Sequence, residues 1–174
     1  IEFALQTSEL SPGTYPFIFT PQSLVSGVLA PLFEGLSAGQ LESSTSPLTE
    51  KLDNKILSEK ITLHENANFI PFDMDGLPTY AKTYVDSGVL KAFPIPLAYA
   101  KKLGRKPTAS SFAGGGFSDL SMNPGQGSLK AWISAMDEGV LLMASYNLTQ
   151  GNIINGDLSG IISMGFHIKN GKVA

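Results

Sequence analysis

Along the chain, apolar residues fall into short strand-like runs separated by turn residues, with only a few stretches at helical spacing. Tyr15-Pro16-Phe17-Ile18-Phe19-Thr20 is β-rich and closed by Pro21, so it predicts a short buried strand. Pro21 suits the first turn of a helix, with Thr20 as its N-cap. From there to about residue 38, Leu24, Val25, Val28, Leu29, Leu32, Phe33 and Leu36 recur at helical spacing. Pro31 should kink that helix, because it lacks a backbone donor and crowds the preceding turn. Polar residues 40–49 read as a loop, and Ile56, Ile61 and Leu63 suggest a strand region. Residues 72–78 form a turn-rich connector. Runs 79–85 and 89–95 flank Asp86-Ser87-Gly88 and predict a β-hairpin. Residues 96–103 predict a short helix capped by Gly104. Residues 109–118, with Gly114-Gly115-Gly116, read as a flexible loop, and 128–136 as a helix with Ser128 as N-cap and Gly139 as terminator. Runs 140–146 and 161–168 predict strands, the second leading into Asn170-Gly171, where both residues tolerate positive φ. Strands joined by hairpins outnumber helices, which points to an α+β fold with a largely antiparallel sheet and a few packed helices. No internal repeat is visible.

Composition narrows the function classes. The 174 residues fit a single domain, 1–174, able to bury roughly 70% of the unfolded chain's surface. A formal charge of −3 gives no electrostatic reason to expect a nucleic acid partner. No uninterrupted apolar run approaches the roughly 20 residues of a membrane span, and no signal-peptide pattern opens the chain. With no cysteine there is no disulfide, thiolate metal site or Cys nucleophile. A cytoplasmic location with no membrane partner is the expectation. Ile1 is not an initiator Met and the sequence reaches Ala174 before a return strand after the turn could be completed, so a longer parent protein is expected.

Several residues invite chemical readings. His64-Glu65 resembles the start of a zinc motif but lacks a second His, and reads as a polar strand end. His167 sits between Phe166 and Ile168 and should point opposite to them in a strand, toward solvent or a hydrogen-bond partner. Asp73-Met74-Asp75-Gly76 has the opening of a calcium loop without its later acidic ligands, so an Asx-stabilised turn is expected. The triple glycine matches no phosphate-binding motif, though a long loop can serve as a functional lid. Lys101, Lys102, Arg105 and Lys106 lie at a helix C-terminus, where cations offset the helix dipole. Asp157 and Ser159 lack a nucleophile elbow, and Gly156-Asp157 reads as a turn.

Five motifs occur in one order. They are Phe72-Asp73-Met74-Asp75-Gly76-Leu77-Pro78-Thr79, then Asp86-Ser87-Gly88-Val89-Leu90-Lys91, then Tyr99-Ala100-Lys101-Lys102-Leu103-Gly104. Asn123-Pro124-Gly125 with Ser128 follows, and the Gly151–Val173 run closes the series with Gly156-Asp157 and Asn170-Gly171. Together they resemble the C-terminal domain of the TldD/PmbA family, which contains zinc peptidases and non-catalytic sister subunits. Members have carried the label "modulator of DNA gyrase". The resemblance implies a missing N-terminal domain. It makes Asp73, Gly76, Pro78, Gly88, Asn123, Pro124, Gly125, Gly156, Asp157, Asn170 and Gly171 family-motif positions of structural character.

The departure from the family pattern is equally informative. The catalytic branch carries H-E-x-x-x-H on the helix after the first strand, with a Cys beyond it. Two imidazoles hold zinc there while the Glu takes a proton from bound water. In this chain the His positions fall on Leu29 and Glu34 and the base falls on Ala30; the helix has no His and the chain no Cys. The resemblance is therefore to the PmbA (TldE) branch. It implies no catalytic, metal or cofactor residue in this chain, zinc only in a catalytic sister subunit, a heterodimer or homodimer, and unfolded peptides as substrate. A stand-alone peptidase with divergent ligands and a homodimeric peptide-binding scaffold are the alternatives.

Overall fold

The structure is a computed structural model that describes residues 10–112, 117–146, 152, 156–157 and 159–173. Strand β1, Phe17–Phe19, is followed at once by helix α1, Pro21–Leu24. Thr20 caps the helix by accepting from the Ser23 N–H, and Pro21 occupies a position where its missing donor costs nothing. The helix then widens into a π segment, Val25–Leu29, where the Ala30 N–H reaches back five residues to the Val25 carbonyl. Pro31, buried in the next helix α2, Ala30–Gly35, supplies the cause. It cannot donate backward and its ring needs room, so the turn before it expands rather than breaking. Ser23 and Gly27 are buried in the first part of this stretch and Pro31, Phe33 and Gly35 in α2, whereas Val25, expected on the apolar face, is 55% exposed.

The chain divides into two compact units. One takes the described residues up to Ala30, those of 126–152, and those from Asp157 onward; the other takes Pro31–Gly125 with Gly156. The first unit holds a four-stranded sheet. Strand β6, Glu138–Tyr146, pairs in parallel with β1 and antiparallel with β7, Ile161–Lys169. Strand β8, Lys172–Val173, returns through Asn170 and Gly171, both at positive φ (51° and 73°), and completes the order β1-β6-β7-β8. A side chain on Gly171 would also meet the Ser134 carbonyl, so glycine is required there twice over. Val140, Leu142 and Ile168 form the buried centre of this unit. The Ser23 hydroxyl donates to the Leu142 carbonyl (2.8 Å) and so ties α1 to β6.

The second unit carries an antiparallel sheet of four short strands: β2, Leu63–Glu65; β3, Lys82–Asp86; β4, Val89–Leu90; and β5, Leu120–Met122. Their order is β4-β3-β2-β5. Helix α3, Ala38–Ser43, and helix α4, Leu97–Leu103, complete it with a 3-10 turn at Pro47–Glu50. The fold is thus α+β with two mostly antiparallel sheets and short helices, in line with the sequence pattern.

Some predicted boundaries move. Residues 40–49 are not a loop: Ser37 caps α3 by accepting from the Gln40 N–H, and Ser46 caps the 3-10 turn, so serines in a polar run act as helix starts. The hairpin is shorter than 79–95, because its strands last only while Val85 faces Leu90. Its Ser87-Gly88 turn has both residues at positive φ, and a side chain on Gly88 would collide with the Leu57 carbonyl. Ile56 and Ile61 lie outside any strand. Helix α5, Leu129–Ser134, is capped by Ser128 as expected, but Gly139 does not end it. Gly139 is a buried residue of β6, placed where a side chain would meet Met136 and the Pro16 carbonyl. The stretch Pro21–Ser43 is long and apolar enough, by length and composition, to cross a membrane. The turn at Leu36-Ser37 interrupts it, and Phe33, Leu36, Ala38 and Leu41 on it are buried within the second unit. The Gly114–Gly116 loop lies outside the described residues.

Candidate functional site

Two places carry chemistry in principle: the helix onto which the zinc motif would map, and a buried polar cluster in the second unit. On the helix, Leu29 is half-buried while Ala30 and Glu34 are exposed. Of the three, only Glu34 has a ligand atom, and one carboxylate does not make the three-ligand set of a catalytic zinc. The residues present do not fit the metal. Among the described residues, no three His, Cys, Asp or Glu side chains come together.

The polar cluster was not foreseen as a unit. Glu65, at the end of β2, is fully buried and lies opposite Lys82 in the register with β3. Its Oε2 accepts from the Tyr84 hydroxyl (3.0 Å) and pairs with Lys82 Nζ (3.2 Å). Its Oε1 accepts from the Ser118 N–H (3.0 Å) and the Ser118 hydroxyl (2.5 Å). Lys82 Nζ also donates to the carbonyls of Thr108 (2.7 Å) and Ala109 (3.2 Å), and stands over the Tyr80 ring. The Tyr84 hydroxyl lies 3.1 Å from Ser110 Oγ, which is 2.8 Å from Thr108 Oγ1. Phe33 and Phe117 pack edge-on against Tyr84 and each other. Burial pushes the Glu65 carboxyl up, but the Ser118 hydrogen bonds and Lys82 outweigh it and hold the group below its ordinary value. Burial pushes the Tyr84 hydroxyl up, and the Glu65 charge adds to that. Tyr80 is raised for the same two reasons. The signal for this cluster was long-range pairing, which His64-Glu65 alone could not reveal.

The predicted motif residues occupy turns and caps. Asp73 is buried; its Oδ1 accepts from the N–H groups of Asp75 (3.0 Å) and Leu77 (2.9 Å), and its Oδ2 from that of Ser111 (3.2 Å). Gly76 turns at φ 79°, Pro78 bridges to Phe72, and Asp75 caps α4 by accepting from the Leu97 N–H (3.0 Å). Asn123, Pro124 and Gly125 are exposed, and the Asn123 N–H reaches the Thr62 carbonyl (3.2 Å). Gly156 is in a turn at φ 83°, and the Asp157 N–H bonds to the Asn152 carbonyl (3.1 Å). The Asn170 and Gly171 N–H groups hold the carbonyls of Asp137 (2.6 Å) and Met136 (2.9 Å). His167 Nε2 lies 3.1 Å from Glu138 Oε1, far in sequence from His64. Lys102 pairs with Glu42 (3.2 Å) and Arg105 stands over Phe93, so half of the basic cluster is engaged in local contacts.

The PmbA/TldA metallopeptidase C-terminal domain family matches residues 12–174. The chain belongs to the PmbA/TldD family. It is 28% identical to the metalloprotease PmbA homolog of Haemophilus influenzae and 27% to metalloprotease PmbA of Escherichia coli O157:H7. Each match covers 97% of this chain and 38% of the relative, so the chain spans under two fifths of the curated relatives' length. A crystal structure from Bacteroides thetaiotaomicron, described as a modulator of DNA gyrase, superposes with a TM-score of 0.85 at 30% identity, over 98% of this chain and 39% of that one. TldE from Thermococcus kodakarensis gives 0.76 at 27% identity, over 91% and 39%. This PmbA/TldD domain is therefore metallopeptidase-like in family and α+β in fold.

Proposed function

We propose that this chain is part of a subunit without catalytic zinc in a TldD/PmbA-type peptidase complex that acts on unfolded peptides in peptide maturation and proteolysis in the cytoplasm. The observation that carries the proposal is the residue set Leu29, Ala30 and Glu34 in a chain without cysteine. Zinc and the proton-accepting carboxylate then belong to a catalytic sister subunit, and this chain holds no cofactor. The likeness to TldE supports the same branch. The contribution of this subunit is to enclose the chamber and hold substrate extended. The outer edge of β7 suits that role, because β8 pairs only with Ile168 and Lys169. From Ile161 to Met164 the edge therefore has no strand partner among the described residues. An extended peptide adds to such an edge through main-chain hydrogen bonds. Nucleic acid and membrane have no part in this function.

The test combines the full-length protein, its catalytic sister and zinc, and follows cleavage of an unfolded peptide. Cleavage should need both subunits; equal activity from the sister alone rejects the proposal. The relatives' name, metalloprotease, favours the second reading, a peptidase with divergent ligands. Stoichiometric zinc retained by the purified full-length protein alone would establish it. A homodimeric scaffold is distinguished by native mass with and without peptide.

A further inference from the structure

The Glu65 cluster joins chain segments that are far apart in sequence. On one side are Thr108, Ala109 and Ser110, reached through Lys82 and Tyr84; on the other is Ser118, bonded to the carboxylate directly. Ser111 is held separately by Asp73. We propose that Glu65 is a charge-dependent clasp: one buried carboxylate fixes the segments on both sides of residues 113–116, each by its own set of bonds, so that either side is released without the other.

The geometry favours a clasp over a filler of the core. The two oxygens divide the work, Oε2 serving Tyr84 and Lys82 and Oε1 serving Ser118. No buried side-chain polar atom among the described residues lacks a partner. Apolar residues of similar volume often give equal or greater stability in such a place, and the role left to a fully bonded ion pair is positional definition. The titratable groups facing Glu65 are Lys82 and Tyr84 of β3 and the preceding Tyr80. Ser118 and the 108–110 segment supply hydroxyls, N–H groups and carbonyls, while Phe33 and Phe117 carry no charge.

Amide hydrogen exchange on the full-length protein tests the clasp, comparing Ser118→Ala and Tyr84→Phe with the parent. Both variants keep the Glu65–Lys82 pair, which protects against wholesale unfolding. Ser118→Ala should speed exchange about tenfold over 118–122 and leave 108–111 within about twofold; Tyr84→Phe, which loses the Ser110 contact and keeps the Lys82 bonds to Thr108 and Ala109, should speed exchange about tenfold at Ser110 and leave 118–122 within about twofold. Val85 and Leu90 amides report global opening and should not change in either variant. Equal acceleration on both sides, acceleration spread to Val85 and Leu90, or no change on either side overturns the proposal. Glu65→Gln, which removes the charge but keeps the shape, should free both sides together; if it frees neither, charge dependence is refuted.

Discussion

The helix at 21–35 and the cluster around Glu65 handle polar groups in opposite ways. On the helix, Leu29 and Ala30 have no polar side-chain atoms, and Glu34 faces solvent. Around Glu65, charge is taken wholly out of water and every partner is supplied. One region offers a single exposed carboxylate, while the other keeps an ion pair that is costly to bury unless each bond is made. The buried chemistry of the second unit thus serves its architecture.

That contrast can be broken first at Glu65. Glu65→Ala leaves Lys82 buried without its counter-charge and should lower stability by about 3–5 kcal/mol in urea unfolding, the largest effect expected of any single change. A loss below about 1 kcal/mol would mean the pair is not buried in solution. The same site has a pH signature. Its folded pKa lies below the ordinary value, so its contribution is complete above the ordinary carboxylate range and is lost as pH falls through the folded value. The stability difference between parent and Glu65→Gln should therefore be flat at neutral pH and shrink below about pH 4.

Next in size is Gly88→Ala, which forces a side chain onto a positive-φ residue beside the Leu57 carbonyl. A loss of about 1–3 kcal/mol is expected, measurable as a lower thermal midpoint. Smallest is the effect of restoring the motif. The triple change Leu29→His, Ala30→Glu and Glu34→His should leave the chain without stoichiometric zinc after dialysis, as read by elemental analysis, because a third ligand is still lacking. Tight zinc uptake would show that the helix differs from a catalytic one in residue identity alone.

What the sequence disclosed was local. Thr20 before Pro21, Ser128 at the start of α5, Gly104 after α4, and the Ser87-Gly88 and Asn170-Gly171 turns depend on residues within a few positions of one another. What it concealed depended on distant partners. Glu65 read as a polar strand end because Lys82, Tyr84 and Ser118 lie 17, 19 and 53 residues away. Strand β5 is three residues long and exists by pairing with β2, which no pattern within Leu120–Met122 announces. Gly139 looked like a helix stop because glycine there serves close packing in β6, a need that resembles a cap only when viewed along the chain. The missed α3 is the exception, since Ser37 was a local signal hidden in a polar run.

The π segment before Pro31 acts on the helix as a one-residue insertion absorbed without a break. A helical wheel drawn through it at constant angle falls out of phase by about 100° on the far side. Designs that pair side chains upstream of Val25 with side chains downstream of Leu29 on this helix need that angular offset before they can converge on anything.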